Sequence, residues 1–129
     1  MQTATNTAFA AQSITGYQTA SATIYGAWQD ISQFTHWSLH IMNLEADGKI
    51  QIFLSNEPIQ PGANYPAGAN PANPDPVAVQ FGSDVTTTSD NANTMVQSGG
   101  AVAHWLQIVK VNGETPATTV VSIFGQIEH

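Results

Sequence analysis

The stretch HWSLHIMNLEADGKIQIFLS, His36 to Ser55, decides the fold class. In its first half Trp37, Leu39 and Ile41 share one parity, and His36, Ser38, His40 and Met42 the other. In its second half Ile50, Ile52 and Leu54 alternate with Gln51, Phe53 and Ser55. Successive strand residues point to opposite faces, so this period of two predicts two half-buried strands and not a helix. Between them, Ala46-Asp47-Gly48-Lys49 reads as a hairpin loop, with Gly48 supplying the positive φ such a loop needs. The stretch specifies a sheet protein; it names no reaction.

Outward from it, the same alternation recurs. Thr23, Tyr25 and Ala27 alternate with Ala22, Ile24 and Gly26, a strand ending near Trp28, and Ile31 and Phe34 are expected to cap one end of the core. Val77 to Phe81 is a short strand stopped by Gly82. Asp84 to Gly100 is polar, with Val85, Met95 and Val96 as its few apolar anchors. Ala101 to Val111 is apolar on both faces, which predicts an interior strand or one whose outer face meets another chain. Thr118 to Ile127 is a β-branched terminal strand with Gly125 as a bulge position. No segment has a helical period with caps. The expectation is an all-β, single-domain, antiparallel sandwich, jelly-roll-like.

Two stretches stand apart. Met1 to Ser21 is rich in Ala, Thr, Gln and Ser and reads as an N-terminal arm or an irregular outer strand ahead of the sandwich at 22–129. Asn56 to Pro76 holds six of the seven prolines and reads as one long surface loop, because proline removes a ladder donor.

The chain has 129 residues, enough for one domain with a substantial core. Charged residues make up 9%, against roughly 25% in ordinary domains. Arg is absent, Lys49 and Lys110 are the only lysines, and the net charge is −7. Phosphate neutralisation needs clustered cations, so nucleic acid is not an expected partner, and an anionic membrane surface is disfavoured for the same reason. No apolar run long enough to span a bilayer and no signal-peptide pattern is visible, so a soluble protein made in a cytoplasm is expected. Cysteine is absent, which excludes disulfides, thiolate metal sites and a thiol nucleophile.

Candidate chemistry is sparse. His36 and His40 share a strand face but stand roughly 13 Å apart at about 3.3 Å per residue, too far to share a metal; His104 could pair with either from a neighbouring strand. Glu45 with Asp47, and Asp84 with Asp90, offer oxygens of the kind Ca²⁺ takes, yet neither set completes a calcium loop. No nucleophile elbow is present, and Gly99-Gly100 lacks the Lys and Ser/Thr of a phosphate loop. No catalytic residue, metal or cofactor is therefore assigned, and an enzyme is not expected. Tyr65, in the proline-rich loop, and Trp28 are candidates for stacking on a sugar ring. With His36, His40 and His104 they form the set of candidate interface or ligand contacts.

Two stretches carry a family resemblance: WSLHIMNLEADGKIQIFLSNEP (37–58) and HWLQIVKVNGETPATTVVSIFGQ (104–126). In the first, a strand, a DG turn and a strand ending in Ser lead to a loop. In the second, an aromatic-anchored strand, a short turn and a β-branched strand close in Gly. Together they resemble small β-sandwich structural proteins of tailed-bacteriophage virions. The resemblance implies a component that decorates or cements a capsid, or forms part of a head fibre or spike. It implies a homo-oligomer, a trimer, contacting the major capsid protein or other virion proteins through the N-terminal arm and the 56–76 loop. The alternative is a carbohydrate- or receptor-binding sandwich.

Overall fold

The computed structural model describes residues 4–8, 12–14, 20–61 and 78–128. Its strands are β1 (Ala4–Ala8), β2 (Gln12–Ile14), β3 (Thr23–Tyr25), β4 (Gln29–Asp30), β5 (His36–Leu44), β6 (Lys49–Ser55), β7 (Val79–Gln80), β8 (Ala92–Gln97), β9 (Trp105–Val111) and β10 (Thr119–Glu128). Every pairing is antiparallel, and no helix occurs among the described residues.

One sheet, A, runs β1–β10–β5–β8, and β2 also pairs with β10. Because β5 occupies one side of β10, β1 and β2 share the other, as one interrupted column. The second sheet, B, runs β3–β9–β6–β7, with β4 beside β3 on the same edge of β9. Counting each interrupted pair as one gives eight columns. In chain order the first pairs with the eighth, the second with the seventh, the third with the sixth and the fourth with the fifth. This is the winding of a jelly roll. The stretch 1–21 thus contributes β1 and β2 to a sheet edge.

The stretch that decides the fold is not a hairpin. β5 lies in sheet A and β6 in sheet B, and the Glu45–Gly48 turn carries the chain between them. The physical reason is burial. A paired hairpin would put both apolar rows on one face of one sheet and leave them needing a further layer. The arch instead sets Trp37, Leu39, Ile41 and Leu44 opposite Ile50, Ile52 and Leu54, and all seven are buried in one core with Ile31, Phe34, Leu106, Ile108, Val121 and Ile123. Each such side chain contributes roughly 1.5–3 kcal/mol when fully buried. Asn43, at φ 63°, sits where the β5–β8 register shifts between Ile41 and Leu44. This bulge lets Leu44 return inward and turns the strand out of its sheet. Gly48 does not take the expected positive φ; it is needed because a Cβ there would lie 2.7 Å from Glu45 Cδ.

Three further expectations change. Gly125 is no bulge: it sits in continuous register opposite Trp37 and Thr7, and the Phe34 ring lies where its Cβ would be, at 2.3 Å. The polar stretch 84–100 contains β8, whose alternation (Ala92, Thr94 and Val96 half-buried; Asn93, Met95 and Gln97 exposed) is carried by small and polar residues. The strand placed at 22–28 spans only Thr23–Tyr25. Beyond it, Trp28 packs on Phe53, Ala78 and Val109 over the outer face of sheet B, so β9 is covered on both sides.

The end of the sandwich holding the β5–β6 and β9–β10 crossovers is closed by a buried ion pair. Lys110 Nζ lies 2.9 Å from Glu45 Oε1 and 3.0 Å from Oε2, and donates to Asn112 Oδ1 at 2.7 Å. Lys110 is fully buried and Glu45 is 2% exposed. Glu45 also accepts the Gly113 amide at 3.0 Å, and Asp47 accepts the Glu114 amide at 2.8 Å, so one turn grips the other. A Cβ at Gly113 would stand 1.9 Å from Asp47 Oδ1, which explains glycine there. Burial pushes the Glu45 carboxyl up, but the Gly113 amide and Lys110 outweigh it and hold the group below its ordinary 4.5.

Lys110→Ala should cost about 3–5 kcal/mol in urea unfolding by stranding a buried carboxylate, while Lys110→Met combined with Glu45→Leu recovers most of it. Because the Glu45 pKa is depressed on folding, its stabilisation is full above the ordinary value of 4.5 and is lost as pH falls through the folded value. Glu45→Gln should therefore flatten the acid side of a stability–pH curve. Gly125→Ala should lower stability by about 1–3 kcal/mol by displacing the Phe34 ring, read as a drop in Tm.

Candidate functional site

The opposite end of the sandwich collects the candidate residues. There β5 begins at His36 and β9 at Trp105, while β6 ends at Ser55 and β8 at Gln97. The Ser98–His104 segment crosses from sheet A to sheet B. Ser98 starts it, its amide donating to Trp37 O at 2.9 Å and its hydroxyl accepting the Trp37 amide at 3.1 Å. Gly99 and Gly100 turn the chain at φ 59° and 91°, and the Trp37 indole N–H donates to Ala101 O at 3.0 Å. Trp37 also meets Phe81 edge-on at 5.1 Å, so one buried tryptophan fixes both the core and this loop.

Grooves open on both sides of the segment. On the sheet A side, His36, Ser38, Gln97, Ser98, Gly99, Phe124 and Gln126 surround a groove of about 290 Å³ floored by Trp37. On the sheet B side, Leu54, Ser55, Asn56, Glu57, Ala78, Val79, Val102 and Ala103 line one of about 440 Å³. Val79 and Val102 on its walls are 62% and 60% exposed, and Ile59, in the segment leaving β6, is 80% exposed.

The structure separates the histidines. His36 and His40 are exposed on the outer face of sheet A, where His40 stands between Ser122 and Met95. His104 lies at the start of β9 in sheet B, so it joins neither of them; the intervening layer is the core. Its ring stacks on Trp105 at 4.6 Å and 5°, and its Nε2 is 3.8 Å from Asp30 Oδ2. Ser32 completes this cluster, but its hydroxyl donates to Asp30 Oδ1 at 2.6 Å. A serine nucleophile needs its proton directed at a base such as imidazole, so this is a turn-stabilising contact. The Ser32 hydroxyl and amide hold the Asp30 carboxyl below the usual carboxylate range against desolvation, and His104 adds to the lowering.

The carboxylates considered for Ca²⁺ have other partners. Glu45 and Asp47 serve the two crossovers, and Asp90 accepts the Ala46 amide at 2.9 Å. Asp84 accepts from Gln80 at 2.7 Å and Gln51 at 3.2 Å, with Lys49 at 3.4 Å; these hold its carboxyl low. Among the described residues no group of three His, Asp or Glu is placed to hold a metal. Trp28, at 5% exposure, offers no open face for stacking, and Tyr65 lies outside the described residues.

Residues that the sequence reading did not single out are Gln97, Ser98, Phe124 and Gln126. The signal was parity: Val121 and Ile123 face inward, so Phe124 and Gln126 share the outer face with Ser38 and His36, their register partners. Comparison with protein-family models, curated proteins and solved structures finds no match.

Trp28→Ala should cost about 3–5 kcal/mol of stability, the effect of emptying a core position, measurable by urea unfolding.

Proposed function

We propose that this chain is a structural subunit of a tailed-bacteriophage virion, made in the host cytoplasm. In this reading it decorates or cements the capsid, or builds a head fibre or spike, through contacts between subunits. One observation carries the reading: Val79, Val102 and Ile59 are exposed at the loop-bearing end, in a chain of which only 9% of residues are charged. Exposed apolar side chains around a groove mark a contact surface. The jelly roll supports the same reading, being an architecture of viral capsid domains, though it hosts other functions as well. The 440 Å³ groove, with Glu57 as its one charged wall, is assigned to a second copy of the chain. Repeated around an axis, that contact makes a closed homo-oligomer, a trimer, able to sit on a shell of major capsid protein.

Native mass spectrometry and sedimentation at micromolar concentration test this. A trimer is expected, reverting to monomer in Val79→Glu and Val102→Glu with the melting temperature retained. A wild-type chain that stays monomeric overturns the proposal.

A further inference from the structure

We propose that the groove between β5, β8 and β10 is a binding site for a short neutral saccharide. The inference is independent of the virion reading, since this groove lies on the sheet A side of the Ser98–His104 segment and the proposed subunit contact on the sheet B side.

The lining selects the ligand class. Among the described side chains the groove carries no Asp, Glu or Lys, and its one titratable side chain is the His36 imidazole, so it offers no carboxylate to a cation and no ammonium or guanidinium to an anion. Phe124 stands 45% exposed on its wall, an aromatic ring left open to solvent at a cost that a stacked apolar face would remove. Around it, Ser38, Gln97 and Gln126 supply a hydroxyl and two carboxamides, and within the described residues none of the three side chains is engaged in a hydrogen bond. Each carboxamide both donates and accepts, as the hydroxyls of a sugar do. His36 adds an imidazole, whose Nδ1 is 3.4 Å from Thr35 Oγ1. Gly99, at φ 59° with no atom within 4 Å of a built Cβ, leaves the backbone of the turn open to the groove.

The placement is rigid where it counts. Ser38 stands directly opposite Phe124 on β10 and Gln97 on β8, and His36 opposite Gln126. The polar groups and the ring therefore sit on neighbouring ladder positions of one sheet, over the buried Trp37. A ligand with an apolar face and a rim of neutral hydroxyls satisfies both parts of this surface. An alkyl ligand would leave the amides unpaired, and a cationic one would find no carboxylate. At about 290 Å³ the groove is at the small end of ligand sites, which fits a mono- or disaccharide and the weak, millimolar affinity of an open site.

The test is amide-resolved NMR titration of the full chain with a panel of neutral hexose and N-acetylhexosamine mono- and disaccharides. Expected are saturable shifts confined to the groove, at Ser38, Gln97, Gly99, Phe124 and Gln126, for at least one sugar. Phe124→Ala and Gln97→Ala should weaken that binding about tenfold or more, whereas Met95→Ala, on the same face outside the groove, leaves it unchanged. Both Phe124 and Gln97 are exposed, and their variants should keep the wild-type spectrum elsewhere. No shifts with any sugar, shifts centred outside the groove, or undiminished binding in Phe124→Ala would each overturn the proposal.

Discussion

A lysine with no access to water, held by a glutamate from another crossover, is the constraint on which the arrangement of the two sheets depends. Lys110 is one of two cations in the chain, and its burial carries a desolvation cost of several kcal/mol. That cost is offset only while Glu45 straddles the ammonium and Asn112 accepts from it. Glu45 belongs to the turn between β5 and β6; Lys110 lies near the end of β9 and Asn112 just past it, at the start of the crossover to β10. The pair forms only if both crossovers leave the sandwich at the same end and at one relative height. Any slip of one sheet past the other would separate a buried charge from its partner. Hydrophobic packing alone tolerates such slips, because Ile, Leu and Val surfaces interchange. The polar cluster thus adds specificity to a core that supplies most of the stability.

The two ends of the molecule differ accordingly. One is bound by carboxylate-to-amide contacts and glycines pressed against side chains. The other is spanned by the Ser98–His104 segment, tied down through Trp37, and flanked by a groove on each side. Exposed Val79, Val102 and Phe124 occur at this second end. The proposed subunit contact and the proposed saccharide groove both lie at the open end. In the Asp30, Ser32 and His104 group the serine proton is directed to the carboxylate, and Glu45, Asp47, Asp84 and Asp90 hold backbone amides, glutamines or lysines.

Much of the architecture was legible from one-dimensional pattern. Alternation along 36–55 and 101–127 located four strands, because period-two burial leaves a period-two mark. The same logic failed at β8, where Ala92, Thr94 and Val96 face inward beside the sheet edge; partial burial does not demand large apolar residues, so the alternation is faint. Gly125 and Gly48 were legible as special positions but for the wrong reason. Their value lies in the space that Phe34 and Glu45 fill, and a neighbour distant in sequence leaves no local signal. The candidate site was less legible still. Trp28 reads as an exposed aromatic near a strand end and is instead a core residue of the second layer. Phe124 reads as one more apolar residue of a terminal strand and is instead presented to solvent.

The sequence by itself determined that this chain is an antiparallel all-β sandwich, which residues form its core rows, and that its few charges are mostly negative. These follow from properties of single residues and their immediate spacing: hydrophobicity, side-chain alternation, proline's missing donor. The tertiary structure decided that His36 to Ser55 is an arch between sheets and not a hairpin within one. It also paired Lys110 with Glu45 and gathered His36, Gln97, Phe124 and Gln126 around one groove while sending His104 to the other sheet. Each depends on which surfaces face one another after the chain has crossed between layers. Long-range burial fixes that choice, and local pattern leaves it open.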